Sequence, residues 1–108
     1  MRFGELLKTA ATEGKEKHVP VIDVADTLVT VTVGKETPHP NTVEHYIGWI
    51  HLYGVRASGQ LVSLGQVTLT AVDTQSTARF AVKREGWKAF HALSYCNLHG
   101  VWESSVAL

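Results

Sequence analysis

From Val19 onward the side chains fall into period-two patterns, and that periodicity commits the chain to sheets before anything else about it is considered. Val29, Val31 and Val33 alternate with Thr30 and Thr32, putting β-branched residues on both faces of a strand. The stretch from Tyr46 to Tyr53 (Tyr-Ile-Gly-Trp-Ile-His-Leu-Tyr) is apolar on both faces, as a strand in the middle of a sandwich must be. Further strands are expected at 66–72, with Val67, Leu69 and Ala71 inward, at 76–83, with Ala78, Phe80 and Val82, at 88–95 and near 101–106. Gly54, Gly59, Gly65 and Gly86 read as the punctuation between them. Pro38 and Pro40 exclude a central strand from 34–41 and dictate a stiff, extended loop. About seven short strands in 108 residues predict an all-β sandwich or barrel.

Ahead of the strands, Phe3, Leu6, Leu7 and Ala10 recur at helical spacing and predict a short amphipathic helix over 3–11. A helix of that length is marginal alone, so it is expected to pack on the main body or on a neighbouring subunit. With no internal repeat and no low-complexity linker, the chain reads as one domain, 1–108. Its lead-in is 1–15 and its sandwich, carrying the chemistry, is 16–108.

Ten basic and ten acidic side chains cancel, so the global field offers no reason for a nucleic acid or an acidic membrane surface as partner. No apolar run approaches the roughly 20 residues that span a bilayer, and the first fourteen residues lack the apolar centre of a signal peptide. A cytoplasmic protein is the expectation. The single cysteine, Cys96, cannot form a disulfide within its own chain, which leaves it as a buried spectator, a nucleophile or a metal ligand.

Three segments concentrate the unusual residues: Glu16-Lys17-His18-Val19-Pro20; His39-Pro40-Asn41-Thr42-Val43-Glu44-His45; and Cys96-Asn97-Leu98-His99-Gly100. A Cys-x-x-His turn after a strand can bring a thiolate and an imidazole to one metal, although that spacing is common by chance. The prolines on either side of His39 fix the backbone there at little entropic cost, which suits a ligand loop. A proline-stiffened surface turn with two solvated histidines fits the same residues. Taken together, four imidazoles and one thiolate exceed the tetrahedron that satisfies structural zinc. They suit a redox metal with five or six positions, iron before zinc. A copper electron-transfer site wants two histidines, one cysteine and an axial methionine, and the only methionine is Met1.

These three motifs in this order, running on through Tyr46-Ile47, Trp49-Ile50 and Val101-Trp102, resemble those of the superoxide reductases, in the single-iron form called neelaredoxin. The resemblance covers residues from about 16 to 104. It implies an immunoglobulin-like β-sandwich and a mononuclear non-haem iron. His18, His39, His45 and His99 would be the equatorial ligands and Cys96 the axial one. Glu16 would close the sixth position in the ferric state, and Lys17 would attract the anionic substrate. Longer relatives, the desulfoferrodoxins, add a four-cysteine iron domain, for which a chain with one cysteine has no ligands. The span from His18 to Gly34 is short for the family, so the first hairpin must be tight or partly lost.

The implied reaction is the one-electron reduction of superoxide to hydrogen peroxide, with rubredoxin as the expected electron donor and a homotetramer or homodimer as the expected assembly. Two rival readings make different predictions. Dismutation at the same iron would release oxygen, whereas an interaction module with structural zinc would be colourless and redox-inert. Lys15 and Lys35 read as solvated surface lysines, and His51 and His91, each within a strand, as side chains outside the site.

Overall fold

The computed structural model describes residues 1–13 and 17–108. Among these, seven strands succeed one another: β1 (Val21–Ala25), β2 (Leu28–Thr32), β3 (Ile47–Arg56), β4 (Leu61–Thr68), β5 (Thr77–Ala81), β6 (Trp87–Cys96) and β7 (Gly100–Ala107). They form a three-stranded sheet, β1-β2-β5, and a four-stranded sheet, β4-β3-β6-β7, antiparallel at each pairing. This is the two-sheet sandwich expected from the alternation. The stretch that is apolar on both faces, β3, lies between β4 and β6.

One core holds the sheets together. Val29 and Val31 from β2 and Ala78 and Phe80 from β5 meet Ile50 and Leu52 from β3 and Phe90 and Ala92 from β6. Ile50, Leu52 and Val31 are fully buried, and each such side chain contributes roughly 1.5–3 kcal/mol. The Asp26-Thr27 turn between β1 and β2 is as tight as the short span demands. Ala25 pairs directly with Leu28, and Asp26 takes the left-handed conformation (φ +55°) that aspartate tolerates well.

The expected strand at 66–72 is displaced. β4 begins at Leu61 and ends at Thr68, because 70–74 curls into a turn in which the Thr74 N–H donates to the Thr70 carbonyl (3.0 Å). Asn41, on the β2–β3 loop, holds that turn. Its Oδ1 accepts from the Val72 N–H (2.7 Å), while its Nδ2 donates to the Val72 and Thr74 carbonyls. Two glycines that read as punctuation lie inside strands instead. A side chain at Gly54 would strike the Trp87 ring at 2.6 Å, and Gly65 (φ +150°) lies beside the β3–β4 register shift, under Phe80.

The N-terminal helix is shorter than its apolar spacing predicts. α1 covers only Phe3–Leu6, and a 3₁₀ turn follows at Ala10–Thr12. Phe3 and Leu6 stay exposed, so no burial offsets the cost of nucleating a longer helix. Backbone pairing with β7 takes the intervening residues: the Lys8 N–H donates to the Val101 carbonyl (3.0 Å), and the Lys8 carbonyl accepts from the Glu103 N–H (2.9 Å).

Candidate metal centre

The histidines and the cysteine arrive from three different parts of the sandwich. His18 stands just ahead of β1. Its N–H donates to Glu13 Oε1 (3.1 Å), and its carbonyl accepts from the buried Ser94 hydroxyl of β6 (3.0 Å). His39 and His45 sit on the long β2–β3 loop. Gly34 (φ +79°) lets that loop fold back on itself, since a side chain there would collide with the His39 backbone. The Thr42–His45 turn is closed by reciprocal backbone bonds and by the Thr42 hydroxyl, which accepts from the His45 N–H (3.0 Å). Cys96 ends β6 with no exposed surface, and His99 completes the turn into β7.

Asn97 joins two of these segments. Its Oδ1 accepts from the Tyr46 N–H (2.9 Å), its Nδ2 donates to the Glu44 carbonyl (2.9 Å), and its own N–H donates to the Tyr46 carbonyl (3.2 Å). His45 is thereby bracketed by the residue that follows Cys96.

The four imidazoles form a ring. Successive centroids, His18 to His39, His39 to His45, His45 to His99 and His99 to His18, are 4.8, 4.7, 5.0 and 4.9 Å apart. The diagonal from His18 to His45 is longer, 6.4 Å. Neighbouring rings stand edge to face at 69–80°, and four nearly equal sides with this diagonal approximate a square. Ligand atoms of His18, His39, His45 and Cys96 all lie within 4.8 Å of one another, and Cys96 Sγ is 3.7 Å from His99 Nδ1. Cys96 Sγ thus lies within 4.8 Å of a donor atom on each of the four imidazoles.

The donor atoms themselves fit a metal. His39 Nδ1 can only donate to the Pro40 carbonyl at 2.7 Å, so its Nε2 carries the lone pair, and that atom is closed off from solvent. Two nitrogens at right angles on one ion lie about 3.0 Å apart when each metal–nitrogen bond is roughly 2.1 Å. His18 Nε2 and His99 Nδ1 are 3.1 Å apart. Four imidazoles in a ring with one sulfur close to all of them could hold an iron ion, and they exceed what tetrahedral zinc uses.

A model of the desulfoferrodoxin family matches residues 10–105. This chain belongs to the desulfoferrodoxin family. Among its relatives is a superoxide reductase of Pyrococcus abyssi, 46% identical over 101 aligned positions that cover 86% of this chain and 88% of that protein. The neelaredoxin of Megalodesulfovibrio gigas is 36% identical and covers 100% of this chain and 98% of its own. Among solved structures, the superoxide reductase (neelaredoxin) of Ignicoccus hospitalis superposes with a TM-score of 0.85 at 34% identity, covering 100% of this chain and 98% of that one. The family assignment and the sandwich therefore agree with the resemblance read from the three motifs.

Other expectations for this desulfoferrodoxin-family chain fare unevenly. His51 and His91 lie in β3 and β6, away from the imidazole square, and His51 bonds instead to Ser63 Oγ (2.7 Å) and the Tyr53 hydroxyl (3.1 Å). Burial lowers the His51 pKa below its ordinary 6.5. Lys35 is a surface lysine paired with Asp23 at 2.7 Å. Glu16 and Lys15 lie outside the described residues. Lys17 is half-exposed, with Nζ 3.6 Å from Glu13 Oε2. Glu13 went unnoticed in the sequence, yet its other oxygen accepts from the N–H groups of both His18 and Val19 (3.1 and 2.6 Å). Nothing in its local pattern marks it, because its partners lie five and six positions on.

Proposed function

We propose that this chain is a superoxide reductase, acting through one iron held by His18, His39, His45, His99 and Cys96. The ring of four imidazoles with the Cys96 sulfur close to all of them supports the proposal. Iron bound there would supply the electron that, with two protons, takes superoxide to hydrogen peroxide. The protein's part is to hold the ligands, keep one face accessible and bring the anion to it. Cys96, fully buried at the end of β6, would ligate iron as a thiolate, and its charge, screened from solvent, would favour the ferric form. His45 and His99 are only partly buried, which supports a shallow site that a small anion and water reach directly.

Lys17 is the proposed local positive charge for the anion in a chain whose net charge is zero, and it is a candidate donor of a proton to the product. Glu16 is the proposed carboxylate that closes the ferric centre. The electron must come from outside, and a small one-electron carrier such as rubredoxin, docking transiently, fits a site this near the surface. A cytoplasmic setting belongs to the same reading, because a reducing compartment keeps the ligating thiol available. A homo-oligomer, tetramer or dimer, also belongs to it, as does the division into one domain over 1–108. No helix among the described residues is long and apolar enough to cross a membrane.

The test is metal analysis with an absorption spectrum before and after mild oxidation, followed by product stoichiometry. Expected are about one iron per chain, a thiolate-to-ferric band on oxidation, and peroxide formed without oxygen release when a reductant is supplied. Colourless stoichiometric zinc would refute the proposal. Oxygen equal to half the superoxide consumed would replace it with dismutation.

A further inference from the structure

Trp102, in β7, is buried, with 3% of its surface exposed. Its surroundings assign it more than filling. The indole lies flat against the His18 imidazole, centroids 4.6 Å apart and planes 11° from parallel. Its Nε1–H donates to the His99 carbonyl (3.2 Å). One side chain therefore touches two members of the imidazole square that are 81 residues apart in sequence. These two face each other across the 3.1 Å separation of His18 Nε2 and His99 Nδ1.

An imidazole turns readily about its Cβ–Cγ bond, and only a narrow range of ring planes aims a given nitrogen at the centre of the square. Stacking on a buried indole restricts the ring of His18 to such a plane. The hydrogen bond to the His99 carbonyl fixes the backbone from which the second ring hangs. The indole is in turn held from outside. Lys8 Nζ stands 5.5 Å from the Trp102 ring, and the Lys8 backbone bonds to β7 on either side of Trp102, at Val101 and Glu103.

We propose that Trp102 is a positioning residue of the metal centre, setting the His18–His99 edge before the metal arrives. The inference rests on the iron reading and adds to it a residue that touches neither metal nor substrate. Outer partners of metal ligands typically change affinity by 10–100-fold when removed. Trp102→Phe keeps an aromatic face for His18 and loses the N–H, whereas Trp102→Leu loses both.

The test measures ferrous-iron affinity, the ferric absorption spectrum and the thermal midpoint of the metal-free protein for both variants. Trp87→Phe, which replaces a partly buried tryptophan at the opposite end of β6, is the control. Expected are a loss of affinity of about 10-fold in Trp102→Phe and about 100-fold in Trp102→Leu, with a displaced thiolate-to-ferric band and no change of either in Trp87→Phe. Should Trp102→Leu fail to fold, Trp102→Phe decides by itself. The inference is overturned if the Trp102 variants bind iron as tightly as the parent with an unchanged spectrum. It is equally overturned if their loss of affinity merely matches that of Trp87→Phe at an equal loss of metal-free stability. A parent that takes up no iron overturns the functional reading together with this inference, whereas a parent that binds while its variants equal it overturns the inference alone.

Discussion

Lys17 and His51 show how differently two polar side chains on one small sandwich are used. Lys17 is about half exposed and shares Glu13 with the backbone of His18 and Val19, so its charge is kept close to His18. Charges near a site raise the capture rate of a small anion and are screened by salt. Lys17→Ala is expected to lower the second-order rate with superoxide by roughly 10-fold at low salt and to flatten its ionic-strength dependence. Pulse-radiolysis rates at two salt concentrations check this, and equal rates for both proteins would remove Lys17 from substrate capture. His51 belongs to stability instead. Burial holds its folded pKa below 6.5, so between the folded pKa and 6.5 the unfolded chain binds more protons than the folded one. Stability from this group is therefore complete above about pH 6.5 and is lost as pH falls through the folded value. Urea midpoints at pH 5 and pH 8 should differ less in His51→Gln than in the parent.

At the scale of elements, the site is a junction of loops that the strands merely carry. The β2–β3 loop has no ladder of its own, and asparagine side chains tie it down at two places. Asn41 anchors it to the 70–74 turn and Asn97 to the β6–β7 turn. Asn97→Ala leaves the Tyr46 N–H and the Glu44 carbonyl without their side-chain partner, at a cost of about 1–3 kcal/mol. It is expected to lower the urea midpoint and to speed iron loss to a chelator, because His45 lies between the two released groups. Retention of iron at the parental rate would mean that the Thr42–His45 turn suffices without it. These clamps were not legible in the sequence. Asn97 sits in a recognisable motif, but its partners are 51 and 53 residues away, and hydrogen bonds across such separations leave no periodicity to read.

At the scale of the whole molecule, the proposed ligands span residues 18 to 99, so an ion bound among them crosslinks most of the chain. An ion that binds the folded chain and not the unfolded one stabilises by about 2.7 kcal/mol at a free concentration 100 times its dissociation constant. Chelation is accordingly expected to lower the thermal midpoint by several degrees, with cobalt or iron restoring it, and calorimetry of both forms checks this. An unchanged midpoint would mean that the five side chains hold no ion tightly. What the sequence alone determined is local in origin. Period-two alternation required sheets, two prolines kept 34–41 out of them, and the chemistry of four imidazoles and a thiolate pointed to iron before zinc. Tertiary structure decided the rest. It cut the N-terminal helix to four residues because β7 claimed the backbone of Lys8, moved β4 towards Leu61, and kept Gly54 and Gly65 inside strands where Trp87 and Phe80 lie over them. It also set Glu13 and Trp102 against His18 and joined Asn97 to the residues on either side of His45. Patterning and residue chemistry are carried by adjacent side chains, whereas which distant groups share a hydrogen bond or a ring face depends on packing that only the closed sandwich creates.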